Sequence, residues 1–252
     1  MDAFTALMYG LVLLFGITIG SFLNVCILRI PKGESIVTGP SHCTHCGRKL
    51  NWYELIPVFS FLALRGRCAG CRARISPQYP LIEAVNGLLW MLVFYVLGFT
   101  LQGLIACLFT SCLLVLSVID ARTREIPPGT TLFIGVLGVA ATLLDLPNWP
   151  LHVIGLFAIS VPLLLILLLT GGRGMGGGDI KLMAGCGLLL GWQLVVFGFF
   201  LGCFLASVIH LTLMALKKAD RTLSFGPYLS AGIFAALLWG QPILNWYLNM
   251  LV

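Results

Sequence analysis

The sequence predicts an all-α polytopic membrane protein of about eight transmembrane helices, with one long polar loop between the first and second helices. Of the 252 residues, 59% are hydrophobic and only 10% are charged, whereas a soluble domain carries about 25% charged residues. Apolar runs of about 20 residues, the length that crosses the hydrocarbon core as a helix, recur along the whole chain. This composition excludes a soluble globular fold.

Eight spans are expected from the apolar runs. They lie at roughly 6–28, 80–98, 101–119, 130–146, 151–169, 180–191, 193–216 and 228–250. The first run follows Asp2 without a basic segment, so we expect a retained span rather than a cleaved signal peptide. The sixth is short and rich in glycine, which also allows a broken or re-entrant helix.

The basic residues predict the orientation. All 15 Lys and Arg residues fall in four clusters, at 29–74, 122–124, 173–181 and 217–221. An eight-span arrangement places the four clusters on one side of the membrane, and the positive-inside rule makes that side cytoplasmic. Both termini then face outward. The net charge of +6 is a topology signal and does not indicate a nucleic-acid partner.

The polar loop, residues 31–79, separates a first transmembrane helix (1–30) from a transmembrane core (80–252). It contains two C-x2-C pairs, and the spacing suits a tetrahedral structural zinc site of the ribbon type. The four ligands would be Cys43, Cys46, Cys68 and Cys71. Unligated reduced thiols or a redox pair are the alternatives.

The turns of the two zinc knuckles are expected at Gly47 and Gly70, because glycine suits tight turns. His42 or His45 could replace a cysteine, although four paired cysteines make that unnecessary. The remaining cysteines lie in apolar spans and are expected to be small core residues. They are Cys26, Cys107, Cys112, Cys186 and Cys203.

Two aspartates are the candidate catalytic residues. Asp120 closes the third span and Asp179 opens the sixth, and the predicted topology puts both at the cytoplasmic membrane edge. Ionisable residues at such depth are functional candidates by default. Two close carboxyl groups share one proton, so the ionised group could activate water while the protonated group polarises a peptide carbonyl.

Each of these features also has a structural interpretation. Asp120 could pair with Arg122 or Arg124 at the interface. The glycine run at 171–178 could expose backbone to an extended substrate, or could be a flexible linker or a helix-packing surface.

Other polar residues are weaker candidates. Glu83 could assist either site or pair with Arg74, while His152 and His210 are expected to be hydrogen-bonded rather than catalytic. No serine or cysteine has a convincing base partner, and the H-E-x-x-H motif of zinc peptidases is missing from the sequence.

Taken in order, these segments resemble the type IV prepilin peptidases over nearly the whole chain. The resemblance rests on the first-span exit, the paired C-x2-C loop, the re-entry segment, two aspartate motifs and the entry to the last span. These segments are Gly20–Pro31, Cys43–Cys71, Ile75–Glu83, Asp120–Pro127, Gly176–Asp179 and Phe225–Gly232.

The resemblance implies an intramembrane aspartyl peptidase of the bacterial cytoplasmic (inner) membrane, with Asp120 and Asp179 as its catalytic pair. Such enzymes remove the basic leader of type IV prepilins and type II secretion pseudopilins after a glycine, while the substrate helix stays among membrane lipids. Many then methylate the new N-terminus with S-adenosylmethionine, and the large first loop implies that second activity here. The cofactor-binding residues are unknown. Asn24, Arg29 and Glu83 are only polar positions near the loop ends.

A basic leader should be repelled by a basic cytoplasmic face. The glutamates available to offset that repulsion are Glu34, Glu54, Glu83 and Glu125. Two other functions remain open at this point. A proton- or ion-coupled transporter would use the two aspartates as carriers. Midplane acids and an inverted repeat would favour it, but both aspartates are expected at one membrane edge, and the two halves of the sequence show no clear repeat. A non-catalytic assembly factor would use the zinc loop for docking and would tolerate loss of both aspartates.

Overall fold

The computed structural model describes residues 2–172, 175–216 and 223–251, which form ten α-helices and no β-strand. The helices are α1 Ala3–Arg29, α2 Phe59–Ala63, α3 Gln78–Leu97, α4 Leu101–Thr123, α5 Pro128–Leu144, α6 Trp149–Ala158, α7 Ser160–Leu169, α8 Gly177–Leu190, α9 Trp192–Ala215 and α10 Gly226–Leu251. The predicted all-helical fold is confirmed. The basic positions Arg173, Lys217, Lys218 and Arg221 lie outside the described residues.

Six helical segments of the described chain are long and apolar enough to cross a membrane. They are Ala3–Lys32, Gln78–Leu97, Leu101–Thr123, Leu146–Leu169, Trp192–Ala215 and Gly226–Met250. The chain is therefore a multi-pass membrane protein. At 17 and 14 residues, α5 and α8 rise roughly 26 and 21 Å, less than the hydrocarbon core of about 30 Å. The count of eight spans stays a prediction.

The predicted span at 151–169 is not one continuous helix. It starts earlier and is interrupted at Ile159, between the end of α6 and the start of α7. Pro162 explains the break, because it has no N–H to donate to the carbonyl of Ala158 four residues earlier. The next residue, Leu163, resumes the pattern with a 3.1 Å hydrogen bond to the carbonyl of Ile159.

The chain divides into two compact units, Met1–Gly98 and Phe99–Val252. In the first unit, α1 packs along α3, and the loop between them holds the cysteine pairs. Glycines bring these helices close: a Cβ at Gly16 would lie 2.8 Å from Cα of Gly87, and one at Gly20 would lie 2.7 Å from Cα of Glu83. The functional division into 1–30, 31–79 and 80–252 stays a prediction.

The second unit contains α4 to α10, and α8 lies inside it. This short helix packs against α5, α6, α7 and α9, and its Leu182 and Met183 are fully buried. It meets α6 where Gly155 faces Gly187, and a Cβ on either glycine would overlap the backbone of the other. Because protein surrounds α8, a helix too short to span the membrane alone is compatible with a membrane fold.

Candidate active site and metal centre

Asp120 lies near the C-terminus of α4 and is only 5% exposed. Its Oδ2 accepts a 2.8 Å hydrogen bond from the backbone N–H of Gly226, the first residue of α10. Such an N–H has no partner within its own helix and is free to bind a carboxylate. A Cβ at Gly226 would lie 2.8 Å from Oδ2. The backbone of α10 therefore sits directly against this carboxyl group.

Asp179 is the third residue of α8 and is half-buried. Its Oδ1 is a buried oxygen with no hydrogen-bond partner among the described residues. Two glycines place it by letting α8 approach the preceding segment and α5. A Cβ at Gly178 would lie 2.7 Å from Cβ of Ile126, and one at Gly185 would lie 2.9 Å from Cγ2 of Ile134.

The glycine run before Asp179 therefore serves more than one purpose. Gly171 and Gly172 adopt positive φ angles of 59° and 80° in the turn that ends α7. Gly178 is a packing contact, as one interpretation of the run predicted. By contrast, a Cβ at Gly177 would meet nothing within 4 Å, so the backbone there is accessible.

The two aspartates line one open cavity of about 320 Å³. Its walls are Asp120, Arg124, Glu125, Ile126, Gly176, Gly178 and Asp179. All seven come from three places in the second unit: the end of α4, the segment before α5, and the start of α8. Helix packing thus brings together two carboxyl groups that are 59 positions apart in the sequence.

Sequence reasoning missed the roles of Gly226 and Arg124. Gly226 was recognised only as part of a segment entering the last span. Arg124 caps α4 in the left-handed region, at φ 58°, and its N–H binds the carbonyl of Asp120. A non-glycine residue in that region is uncommon and gives no sequence signal. Glu125 is exposed and also lines the cavity.

The four predicted metal ligands do meet. The sulfur atoms of Cys43, Cys46, Cys68 and Cys71 all lie within 4.8 Å of one another, and Sγ of Cys43 is 3.9 Å from Sγ of Cys71. A tetrahedral zinc ion with bonds of about 2.3 Å separates its sulfurs by roughly 3.8 Å. The cluster therefore fits zinc. No disulfide joins the cysteines of the described chain.

The two C-x2-C segments have the same backbone pattern. The N–H of Cys43 binds the carbonyl of Arg48 and the N–H of Gly47 binds the carbonyl of Cys43. In the second segment, Cys68 binds Ala73 and Arg72 binds Cys68 in the same way. The fourth residue after each leading cysteine is left-handed: Gly47 at φ 70° and Arg72 at φ 61°.

Gly70 lies in the turn of the second knuckle, as expected, but the left-handed position there is held by Arg72. Gly70 also leaves room for the Arg48 side chain, since a Cβ at Gly70 would lie 3.0 Å from its Nε. Arg48 in turn pairs with Glu54, whose Oε2 accepts the N–H of Asn51. The hydrogen bond from the N–H of Asn51 lowers the pKa of Glu54 most, and the bond from Arg48 lowers it further.

Backbone N–H groups also favour the thiolate form of the leading cysteines. The N–H groups of Cys71 and Gly70 lower the pKa of Cys68 to about 6. Those of Cys46 and His45 lower the pKa of Cys43. Since a metal binds the thiolate rather than the thiol, both knuckles are suited to ligation.

The polar positions at the loop ends have structural partners. Asn24 is buried and donates to the carbonyl of Tyr79 at 3.1 Å. Arg29 donates to the carbonyls of Ser35 and Thr38, each at 3.0 Å. The Asn24 bond joins α1 to the start of α3, and the Arg29 bonds tie the loop to the end of α1.

The expectation that Glu54 and Glu83 offset the charge of a basic peptide is not supported. Both are buried, at 9% and 6% exposed. Glu54 is bonded within the loop, and Oε2 of Glu83 accepts the N–H of Val58 at 2.7 Å. Glu125, at the acidic cavity, is exposed.

The two histidines differ. His152 is hydrogen-bonded as expected, with Nδ1 2.9 Å from the carbonyl oxygen of Leu188. His210 lines a second cavity of about 320 Å³ between α9 and Phe225, and its buried Nε2 has no partner among the described residues. Neither lies at the cavity that holds the aspartates.

Two protein-family models match the segments of the chain that contain the cysteine cluster and the two aspartates. A model described as "Bacterial Peptidase A24 N-terminal domain" matches residues 14–97, and one described as "Type IV leader peptidase family" matches residues 107–211. The first match contains the cysteine loop and the second contains both aspartates. No solved structure matches the chain.

Several curated relatives match over nearly their full length. A protein of Stutzerimonas stutzeri is 34% identical, with 94% of this chain and 92% of the relative covered. One of Aeromonas hydrophila is 35% identical, with 96% and 94% covered, and one of Bacillus subtilis is 34% identical, with 96% and 99% covered. Each is named prepilin leader peptidase/N-methyltransferase. The family predicted from the sequence motifs is confirmed: this chain belongs to the type IV leader peptidase family.

Proposed function

We propose that the protein is a prepilin leader peptidase that hydrolyses its substrate with Asp120 and Asp179, and that it also methylates the new N-terminus. The names of its relatives support both activities. The observation that supports the catalytic pair is the cavity of about 320 Å³ that both carboxyl groups line.

The different surroundings of the two carboxyl groups suggest different roles. Asp120 accepts an N–H hydrogen bond, which stabilises a carboxylate, so we assign it the charged state. Asp179 has a buried oxygen without a donor, which favours the neutral acid. Asp120 removes a proton from water, the resulting hydroxyl attacks the peptide carbon, and Asp179 donates its proton to the carbonyl oxygen. As the tetrahedral intermediate collapses, Asp120 gives the proton it took from water to the leaving nitrogen, and Asp179 takes a proton back from one hydroxyl of the gem-diol, which restores both groups.

The cavity also suggests how the substrate lies. The accessible backbone at Gly177 can hydrogen-bond to an extended peptide, because no side chain shields it. Exposed Glu125 stands at the same cavity and can attract a basic leader. The apolar helix of a prepilin-type substrate would remain in the lipid beside the second unit.

We place the protein in the bacterial inner membrane, with the cysteine loop and both aspartates on the cytoplasmic side and both termini outside. The clustering of basic residues supports this topology. In this arrangement α5 and α8 are the two shorter crossings. Transporter and scaffold functions are not favoured, since the relatives are named as enzymes and both aspartates lie near helix ends.

We further propose that Cys43, Cys46, Cys68 and Cys71 hold a structural zinc ion. Four thiolates complete a tetrahedron and leave no open position for substrate, so the ion would stabilise the loop rather than act in catalysis. Methylation would use S-adenosylmethionine, which supplies the methyl group. The described residues contain no β-strand and no glycine-rich strand–helix turn of the Rossmann type, and we assign no residue to that cofactor.

Asp120→Asn and Asp179→Asn each remove one carboxyl group with little change in shape. We expect leader removal from a co-expressed prepilin to fall by about 10²–10⁴-fold in each variant, because each carboxyl performs a proton transfer. Processing is followed by gel shift in a peptidase-null host at matched membrane levels. Asp145→Asn, at the opposite end of α5, should process normally. Full processing by either site variant would rule out the catalytic pair.

Gly226→Ala would place a methyl group 2.8 Å from Oδ2 of Asp120 and displace the carboxyl group. We expect leader cleavage to fall by about 10²-fold, the usual cost of a 1 Å misplacement at a reacting group. The purified variant should keep the melting temperature of wild type to within a few degrees. Gly129→Ala, which meets no atom within 4 Å, is the matched control. A Gly226→Ala enzyme of wild-type activity would show that this contact does not position Asp120.

Cys68→Ser removes one proposed zinc ligand. We expect purified wild type to contain about one zinc ion per chain and the variant to lose it on dialysis against a chelator, because three ligands hold zinc more weakly than four. Proteolysis between α1 and α3 should become faster as the loop loses order. Cys203→Ser, a thiol outside the cluster, should keep its metal. Unchanged zinc content in Cys68→Ser would contradict the assignment.

A further inference from the structure

The loop between α1 and α3 exposes a run of large apolar side chains that the first unit leaves uncovered. They are Trp52, Tyr53, Leu55, Ile56, Phe59 and Leu62, between 42% and 78% exposed. We call residues 52–62 the apolar segment. Scattered exposed apolar residues are normal on a protein surface, but a contiguous group marks an interaction site. The segment lies within a loop that is otherwise polar, so membrane-span composition does not explain it.

The chain reverses direction inside the apolar segment. Val58 has φ 61° and ψ −53°, and the N–H of Phe59 binds the carbonyl of Pro57 at 2.6 Å. This is a γ-turn of the rare type, which is strained for a β-branched residue. The short helix α2 starts immediately after it. A strained turn persists only where its surroundings hold it.

Glu83 holds this turn, and its position shows where the apolar segment lies along α1 and α3. Its Oε2 accepts the N–H of Val58 at 2.7 Å. Glu83 is five residues past Gln78, the start of α3, so it lies roughly 8 Å along the helix. The backbone of Glu83 also packs against Gly20 of α1. Gly20 is nine residues, or roughly 14 Å, from Arg29, the last residue of α1. The turn therefore lies beside the two spanning helices rather than beyond their ends.

We propose that the apolar segment inserts into the interface of the membrane that α1 and α3 cross. A position roughly 8 Å along α3 from its first residue is compatible with the 5–10 Å to which interfacial helices are buried. Trp52 and Tyr53 are the residue types enriched at that level. The hydrogen bond from the N–H of Val58 to Glu83 also suits a lipid environment, because a backbone N–H without a partner is costly there.

The charges around the segment identify the lipid. Exposed Lys49, Arg65 and Arg67 flank it, and residues 31–79 contain seven Lys or Arg against two Glu. Basic residues at a membrane surface attract anionic headgroups. The ligand is thus an anionic bilayer, with apolar side chains in the acyl boundary and arginines among the headgroups.

Insertion of the apolar segment would attach the middle of the cysteine loop to the membrane surface. Cys46 precedes the segment by six residues and Cys68 follows it by six, so the two knuckles flank the inserted portion on either side. This inference needs only the membrane spans α1 and α3. It does not depend on the proposed peptidase activity.

The test uses the full-length protein with a fluorescent amino acid at Phe59, reconstituted into phosphatidylcholine–phosphatidylglycerol vesicles. Leu88, exposed in the middle of α3, reports the lipid environment, and Ala69, exposed in the second knuckle, reports the aqueous one. We expect lipids with brominated chains to quench the probe at Phe59, as at Leu88, and aqueous iodide to quench it far less than at Ala69.

Bromine quenching at Phe59 no stronger than at Ala69 would overturn the proposal. Protection from iodide without bromine quenching would do the same, because a protein surface, such as a second copy of this chain, would then cover the segment. The role of Glu83 is tested with the same probe. Glu83→Ala should lose most of the bromine quenching at Phe59, whereas Glu83→Gln, which keeps an acceptor oxygen, should retain it. Equal quenching in both variants would overturn the role of this hydrogen bond.

Discussion

The close approach of α8 to its neighbours is the constraint on which the candidate active site depends. Glycine is required at three levels of this helix: Gly178 against Ile126, Gly185 against Ile134, and Gly187 against Gly155. Without these contacts α8 would move outward, and Asp179 would leave the cavity that it shares with Asp120. Small residues replace the hydrophobic effect as the means of packing helices in lipid. The packing of α8 therefore determines where the Asp179 carboxyl group lies.

Backbone groups perform a comparable task at each site. The N–H of Gly226 binds Asp120, the N–H groups of Cys71 and Gly70 favour the Cys68 thiolate, and the N–H of Val58 binds Glu83. Backbone donors are fixed by the fold and cost little to orient, which suits groups that must hold a charge in a poorly hydrated place. The membrane environment makes such pairing more important than in a soluble protein.

Much of this architecture was predictable from the sequence, because long apolar runs and paired cysteines are local signals. Six spanning segments and the cysteine cluster were found in the predicted places. The break at Ile159 could have been inferred from Pro162, which cannot donate a helical hydrogen bond. Three other features could not have been inferred, because they depend on residues brought together only by folding. They are the left-handed conformation of Arg72, the contact of Gly226 with Asp120 and the hydrogen bond from Val58 to Glu83.

The central claim is that one aspartate works ionised while the other holds a proton. The most direct measurement is the pH dependence of kcat/KM for leader cleavage by the purified enzyme in lipid vesicles. The account predicts a bell-shaped profile: activity falls at low pH as Asp120 becomes protonated, and falls at high pH as Asp179 loses its proton. Activity that rises to a plateau and persists at high pH would contradict it, because no carboxylic acid would then be needed.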